Sequence, residues 1–146
     1  MKTVQKSVLI WYTAEEMFAL VTDIGKYPEF LPWCDQAKVL SRDEHGMLAE
    51  IGIAFAGIRQ TFTTRNDQVE GRKVDMKLVK GPFSTLDGHW TFTPVGDAGQ
   101  RACRIDLELQ YGFQNVALAA LVGPVFDKIA GSMVDAFVKR AEQVYG

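Results

Sequence analysis

The sequence predicts an α+β fold in which a curved antiparallel sheet of about six to seven strands wraps around a long C-terminal helix. Three observations carry that expectation. Apolar and polar residues alternate one-sidedly in segment after segment, with turn residues between them. One long apolar stripe at helical spacing closes the chain. A short helical segment with its own start signal follows the first strand.

The first strand is "TVQKSVLIWY", with Val4, Val8, Ile10 and Tyr12 on one face and Lys6 interrupting them. "TAEEMFALVTDI" then opens a helix with a capping box, because Thr13 is followed by Glu16 three residues on. Met17, Phe18, Leu20, Val21 and Ile24 form its apolar side. The next stretch, "DIGKYPEFLPWC", holds Pro28 and Pro32 within five residues, which excludes a regular helix or a central strand. An irregular loop is expected, and it is a rich one: Tyr27, Phe30, Leu31 and Trp33 either plug the core or form a lid over something the protein holds. Trp33, set between Pro32 and Cys34, reads as the lid residue that stays partly exposed.

Six further strands follow. "QAKVLSR" ends at "DEHG", and "MLAEIGIAFAG" puts Ala49, Ile51, Ile53 and Phe55 on one face. "IRQTFTTRNDQ" ends at "EG", "KVDMKLVK" aligns Val74, Met76 and Leu78, and "STLDGHWTFTP" aligns Leu86, Trp90 and Phe92. "ACRIDLELQYGF" alternates most cleanly, with Cys103, Ile105, Leu107, Leu109 and Tyr111 on one side. Such repeated alternation means a sheet with one wet face. Gly52, Gly57, Gly88 and Gly112 inside strand patterns mark bulges or bends that curve it. The helix runs from about Asn115 to Tyr145, and Gly123–Pro124 is expected to break or kink it near its start.

A bent sheet cannot follow a cylinder everywhere, so a space between sheet and helix is expected. Inward parity assigns its lining. From the strands come Ile10, Ile53, Phe55 and Phe62, then Met76 and Leu78, Trp90 and Phe92, and Leu107 and Leu109. From the helix come Ile129, Met133 and Phe137. Periodicity alone does not separate a filled core from a cavity. The polar groups of inward parity are Lys6, Gln60 and Thr64.

The bulk numbers bound the class. With 146 residues, 47% hydrophobic and 23% charged, the chain is expected to be one soluble domain, residues 1–146. Its net charge of −2 gives no global attraction to nucleic acid or anionic lipid. A local basic run between Gly57 and Lys80 offers Arg59, Arg65, Lys73 and Lys77 as RNA contacts, against the plainer reading of a solvated strand face. Cys34 and Cys103 form neither a zinc motif nor a disulfide framework, and no metal or cofactor is expected. The N-terminus lacks a signal-peptide core, and no run of 18 apolar residues is present, so a cytoplasmic protein is expected. Catalytic residues are not found: His45 sits in a turn, His89 and Asp87 have outward parity, and neither cysteine has a His or Lys beside it.

Several stretches resemble a known family. "YTAEEMFALVTDIGKYPEFLPWC", "AGIRQTFTTRN", "GPFSTLDGHWTFTP", "CRIDLEL" and "MVDAFVKRAEQVYG" look like the START-like family (Bet v 1 superfamily, helix-grip). That family contains coenzyme Q-binding proteins and bacterial ribosome association toxins, with older naming as oligoketide cyclase and lipid transport proteins. Tyr27, Pro28, Phe30, Leu31 and Pro32 match its loop motif; Gly81, Pro82 and Phe83 match its turn; Trp90, Phe92 and Pro94 match the following strand. The resemblance implies the helix-grip fold and a binding protein rather than an enzyme. The leading expectation is a carrier of a hydrophobic isoprenoid or lipid, ubiquinone above all, with transient contact at the inner membrane. The alternative is a translation inhibitor that binds the large ribosomal subunit, blocks subunit joining and has a cognate antitoxin. A polyketide-type cyclase is the third.

Overall fold

Seven strands form one antiparallel sheet in the computed structural model, which describes residues 1–97 and 99–146. They are β1 (Lys2–Ile10), β2 (Cys34–Arg42), β3 (Gly46–Phe55), β4 (Ile58–Val69), β5 (Lys73–Lys80), β6 (Phe83–Pro94) and β7 (Cys103–Phe113). Across the sheet their order is β1-β7-β6-β5-β4-β3-β2, so only β1 joins out of sequence. Helix α1 (Ala14–Thr22) and a 3-10 helix (Ile24–Glu29) carry the chain back to the start of β2, and α2 (Val116–Tyr145) closes it. The alternation read from the sequence is the alternation observed: Cys103, Ile105, Leu107, Leu109 and Tyr111 are all buried on β7.

Antiparallel pairing sorts the connections to two ends. The starts of β1 and β2, the β3–β4 and β5–β6 turns and the β7–α2 junction lie at one end, here called proximal. The β1–α1, β2–β3, β4–β5 and β6–β7 connections lie at the other, distal, end. There the C-terminus of α2 is tied down, where the Tyr145 hydroxyl donates to the Glu16 carbonyl at 2.8 Å.

Bulges curve the sheet, but not at the glycines. The register shifts fall between Cys34 and Gln36, Val39 and Ser41, Thr63 and Thr64, and Phe83 and Thr85. Two glycines instead face a bulge across the ladder. A Cβ on Gly52 would stand 2.3 Å from the Asp35 carboxylate, and one on Gly112 would stand 3.1 Å from Ser84 Oγ. Gly57 turns the β3–β4 hairpin at positive φ, and Gly88 pairs with Met76 in an unshifted part of the ladder.

Two helical expectations are corrected. The segment with Pro28 is not wholly irregular, because Ile24–Glu29 winds into 3-10 turns around the proline. Nor does Gly123–Pro124 break α2, which runs unbroken for 30 residues. Both Pro124 and Ala120, whose carbonyl loses its amide partner, are exposed, so the carbonyl is open to solvent rather than buried without a partner. Gly123 lies buried against Phe113.

The capping box of α1 is present in both directions: Thr13 Oγ1 accepts from Glu16 N, and Glu16 Oε1 accepts from Thr13 N. The same carboxylate accepts a forked pair of bonds from Arg101, at 2.9 and 2.7 Å. The Arg101 guanidinium, with the cap amide, holds the Glu16 pKa at about 2, below its ordinary 4.5. A depressed folded-state pKa gives stability that is fully present above the unfolded value and is lost as pH falls through the folded one. Unfolding midpoints measured between pH 5 and pH 2 should therefore fall more steeply in the parent than in Arg101→Leu. Identical pH slopes for the two proteins would show the pair to be without effect on stability.

Candidate functional site

Between the concave face of the sheet and α2 lies a cavity of about 70 Å³. Strand parity builds most of its wall. Ile51, Phe62, Met76, Leu86, Trp90, Leu107 and Leu109 point inward from β3 to β7, and Phe126, Ile129, Met133 and Phe137 face them from α2. Ile24, Tyr27 and Trp33 close it from the α1–β2 connection. Gly88 makes room on β6: a Cβ there would meet the Met76 methyl at 2.5 Å.

Among the described residues, one hydrogen-bonded polar pair stands on this wall. Thr64 and Asn66, successive inward positions of β4, are both buried, and Thr64 Oγ1 donates to Asn66 Oδ1 at 2.7 Å. Among the described residues, the titratable group on the wall is the Tyr27 phenol, which donates to the Val21 carbonyl. Burial pushes its pKa well above the ordinary range, with Cys34 and Asp23 adding to the effect. Burial likewise pushes the Cys34 and Cys103 thiols up to about 11, aided by Asp35 in the first case and by Glu15 and Glu16 in the second. Neither is a thiolate at neutral pH. His89 lies on the outer face, its Nδ1 2.8 Å from Asp75. Among the described residues, no group of three or more His, Cys, Asp and Glu is placed to hold a metal ion.

The structure gathers eight of the expected lining residues at the cavity: Phe62, Met76, Trp90, Leu107, Leu109, Ile129, Met133 and Phe137. Five stand elsewhere. Phe55 is 39% exposed at the tip of the β3–β4 hairpin, beyond the core, under the Lys128 ammonium. Phe92 packs edge-on against Phe18 of α1, at 5.9 Å, in the core outside the cavity wall. Ile10 and Ile53 are core residues outside the cavity wall, and Leu78 is only half-buried. Lys6 is exposed and Gln60 half-buried, outside the cavity wall, so Thr64 alone of the three inward polar candidates reaches it. Asn66 has the same parity two residues further along and was legible by the same rule.

The supposed lid is mostly core. Tyr27, Leu31 and Trp33 are buried, and Trp33 is 7% exposed rather than open to solvent. Phe30 is half-buried. It packs edge-on against Phe137 at 5.2 Å, under the Arg140 guanidinium, which also reaches Glu29 at 3.0 Å. The candidate RNA contacts are largely neutralised. Arg59 pairs with Asp35, Arg65 with both Asp43 and Asp67, and Lys73 with Asp75; Lys77 alone has no carboxylate at ion-pair distance among the described residues.

A seven-stranded antiparallel sheet gripping one long helix over an apolar hollow defines the helix-grip, START-like class. The chain belongs to the family described as polyketide cyclase / dehydrase and lipid transport, whose profile matches residues 10–138. It is 44% identical over 146 residues to a Vibrio cholerae protein named ribosome association toxin RatA, covering 100% of this chain and 99% of that one. It is 27% identical over 142 residues to coenzyme Q-binding protein COQ10 homolog B of Xenopus laevis, covering 97% of this chain and 58% of that one. Among solved structures, the Zhui aromatase/cyclase from Streptomyces sp. R1128 superimposes with a TM-score of 0.85 at 14% identity, covering 99% of this chain and 96% of that one. At that identity the likeness is one of fold.

Proposed function

We propose that this chain is a non-catalytic protein that associates with the ribosome, binding the large subunit and hindering subunit joining. The observation that carries this reading is full-length identity of 44% with a protein named for ribosome association, against 27% with the coenzyme Q-binding homologue. It reverses the preference drawn from the sequence alone. The site supports it too. A cavity of about 70 Å³ is well short of the roughly 300–1,000 Å³ of ordinary ligand pockets, and an isoprenoid tail enters only if side chains move. Among the described residues its wall offers no group with a pKa suited to proton transfer near neutrality, which supports binding over cyclase chemistry.

Sedimentation tests the proposal. Added to separated subunits before they rejoin, the protein should travel with the large subunit and raise the share of free subunits. Lys73→Glu combined with Lys77→Glu should weaken that association, since contact with RNA rests on phosphate neutralisation. Protein left at the top of the gradient, with joining unaffected, would overturn the reading.

A hydrophobic ligand is the second reading, and the Thr64–Asn66 pair favours it. A hydrogen-bonding pair on an otherwise apolar wall can orient one carbonyl or hydroxyl of a guest. Native mass spectrometry followed by organic extraction distinguishes the two states: a stoichiometric quinone or lipid supports a carrier, and a protein that stays empty when quinone is added refutes it.

A further inference from the structure

The two ends of the sheet differ in charge. Residues 1–14, 51–66, 76–86 and 109–126 contain no Asp or Glu. These runs supply the start of β1, the β3–β4 hairpin, the β5–β6 turn and the β7–α2 junction, all at the proximal end. Two carboxylates at this end are already engaged, Asp35 with Arg59 and Asp127 with Lys2. Lys80, at the β5–β6 turn, and Lys128, over the Phe55 ring, have no carboxylate at ion-pair distance among the described residues. Acids crowd the distal connections instead, at Glu15, Glu16, Asp43, Glu44, Glu70 and Asp97.

The proximal end is also apolar. From Val116 to Pro124 the first turns of α2 carry no polar side chain, and Val116 and Leu121 are 85% and 55% exposed. Met1 and Val79 are exposed at the same end: Met1 lies next to Gly112, and Val79 precedes the turn whose Gly81 carbonyl accepts from Gln114. By length and composition α2 could cross a bilayer. Its Phe126, Ile129 and Phe137, however, are locked in the core, so only its first turns are free to meet one.

We propose that the proximal end docks on an anionic lipid surface. Val116, Leu121, Met1 and Val79 enter the boundary between head groups and acyl chains, and Lys80 and Lys128 meet lipid phosphates. The side chains argue for lipid over RNA: aliphatic tips do not stack on bases, and two unpaired lysines neutralise few phosphates. The position argues for it as well. An apolar groove of about 480 Å³, bounded by Pro32, Trp33, Phe55, Val125 and Lys128, lies at this end and shares Trp33 and Ile129 with the cavity wall. A docked molecule thus turns toward the lipid a groove that shares two wall residues with its cavity.

Vesicle flotation tests this without ribosomes, so its failure is distinct from failure of the ribosomal reading. The full chain should float with vesicles containing phosphatidylglycerol and remain below with pure phosphatidylcholine. Binding should weaken as salt is raised and the screening length drops to about 3 Å near 1 M. Val116→Asp with Leu121→Asp, both at exposed positions, should reduce binding about tenfold or more, as burying charge in an apolar boundary costs at least that. Lys80→Glu should reduce it less. Trp11→Asp, also exposed but at the distal end, should leave it unchanged. No flotation with anionic vesicles, or flotation equally strong in the double variant, overturns the proposal. So does a double variant that loses ribosome association while the parent ignores vesicles, which would make this end a ribosomal contact.

Discussion

Trp33→Ala should lower the unfolding free energy by roughly 3–5 kcal/mol, as truncation of a buried Trp does. The ring is 7% exposed and seals both the inner cavity and the outer groove. Its backbone is held as well, since the Trp33 carbonyl accepts from Ala54 N at 2.8 Å and the Leu31 carbonyl accepts from Cys34 N at 3.0 Å. Removing the indole therefore leaves a hole that a fixed backbone does not collapse to fill. Urea unfolding of parent and variant, with unchanged denaturant slopes, gives the number. A loss below about 1 kcal/mol would contradict this burial and restore the reading of Trp33 as a mobile lid. In the structure the aromatic segment that begins at Tyr27 is packed as a plug: phenol to Val21 carbonyl, Phe30 under Arg140, Leu31 fully inside.

Much of this was legible in the sequence, and the misses share a cause. Thr13 and Glu16 announce the start of α1 because a cap is a local device, complete within four residues. The alternation on β7 announces its inner face for the same reason. Parity, however, gives the face and not the depth. Phe55 has the right parity but sits where the hairpin has already left the core, turning through Ala56 and Gly57, both at positive φ. Phe92 has it too, but meets Phe18, a residue distant in sequence. The pairing of charges was hidden for a related reason. Arg59 and Arg65 look like a basic run along one strand, yet their partners Asp35 and Asp43 come from a strand and a turn more than twenty residues earlier. A forked bond to Asp43 and a further bond to Asp67 leave Arg65 little capacity for a phosphate. Pairing across strands is invisible to a one-dimensional reading until the register is known.

Phe137 is where sheet, loop and helix meet, and its truncation should be as damaging as that of Trp33. The ring packs edge-on against Tyr27 at 5.5 Å, Phe30 at 5.2 Å and Trp90 at 5.4 Å, and is 1% exposed. Phe137→Ala should cost about 3–5 kcal/mol, rising with the volume left unfilled at about 24 cal/mol per Å³. The space released adjoins the existing hollow, so the variant gains an enlarged apolar cavity rather than an isolated void. A small apolar guest such as benzene should then raise its melting temperature, because a ligand bound only by the folded state stabilises it by RT ln(1 + [L]/Kd). The parent should show a smaller rise or none, its hollow being only about 70 Å³. The contrast separates two readings that periodicity left open. Rescue confined to Phe137→Ala means that the parent interior is a nearly filled core with a small residual space. An equal response from the parent means that its wall opens readily, and that a larger hydrophobic guest is accommodated beside the Thr64–Asn66 pair.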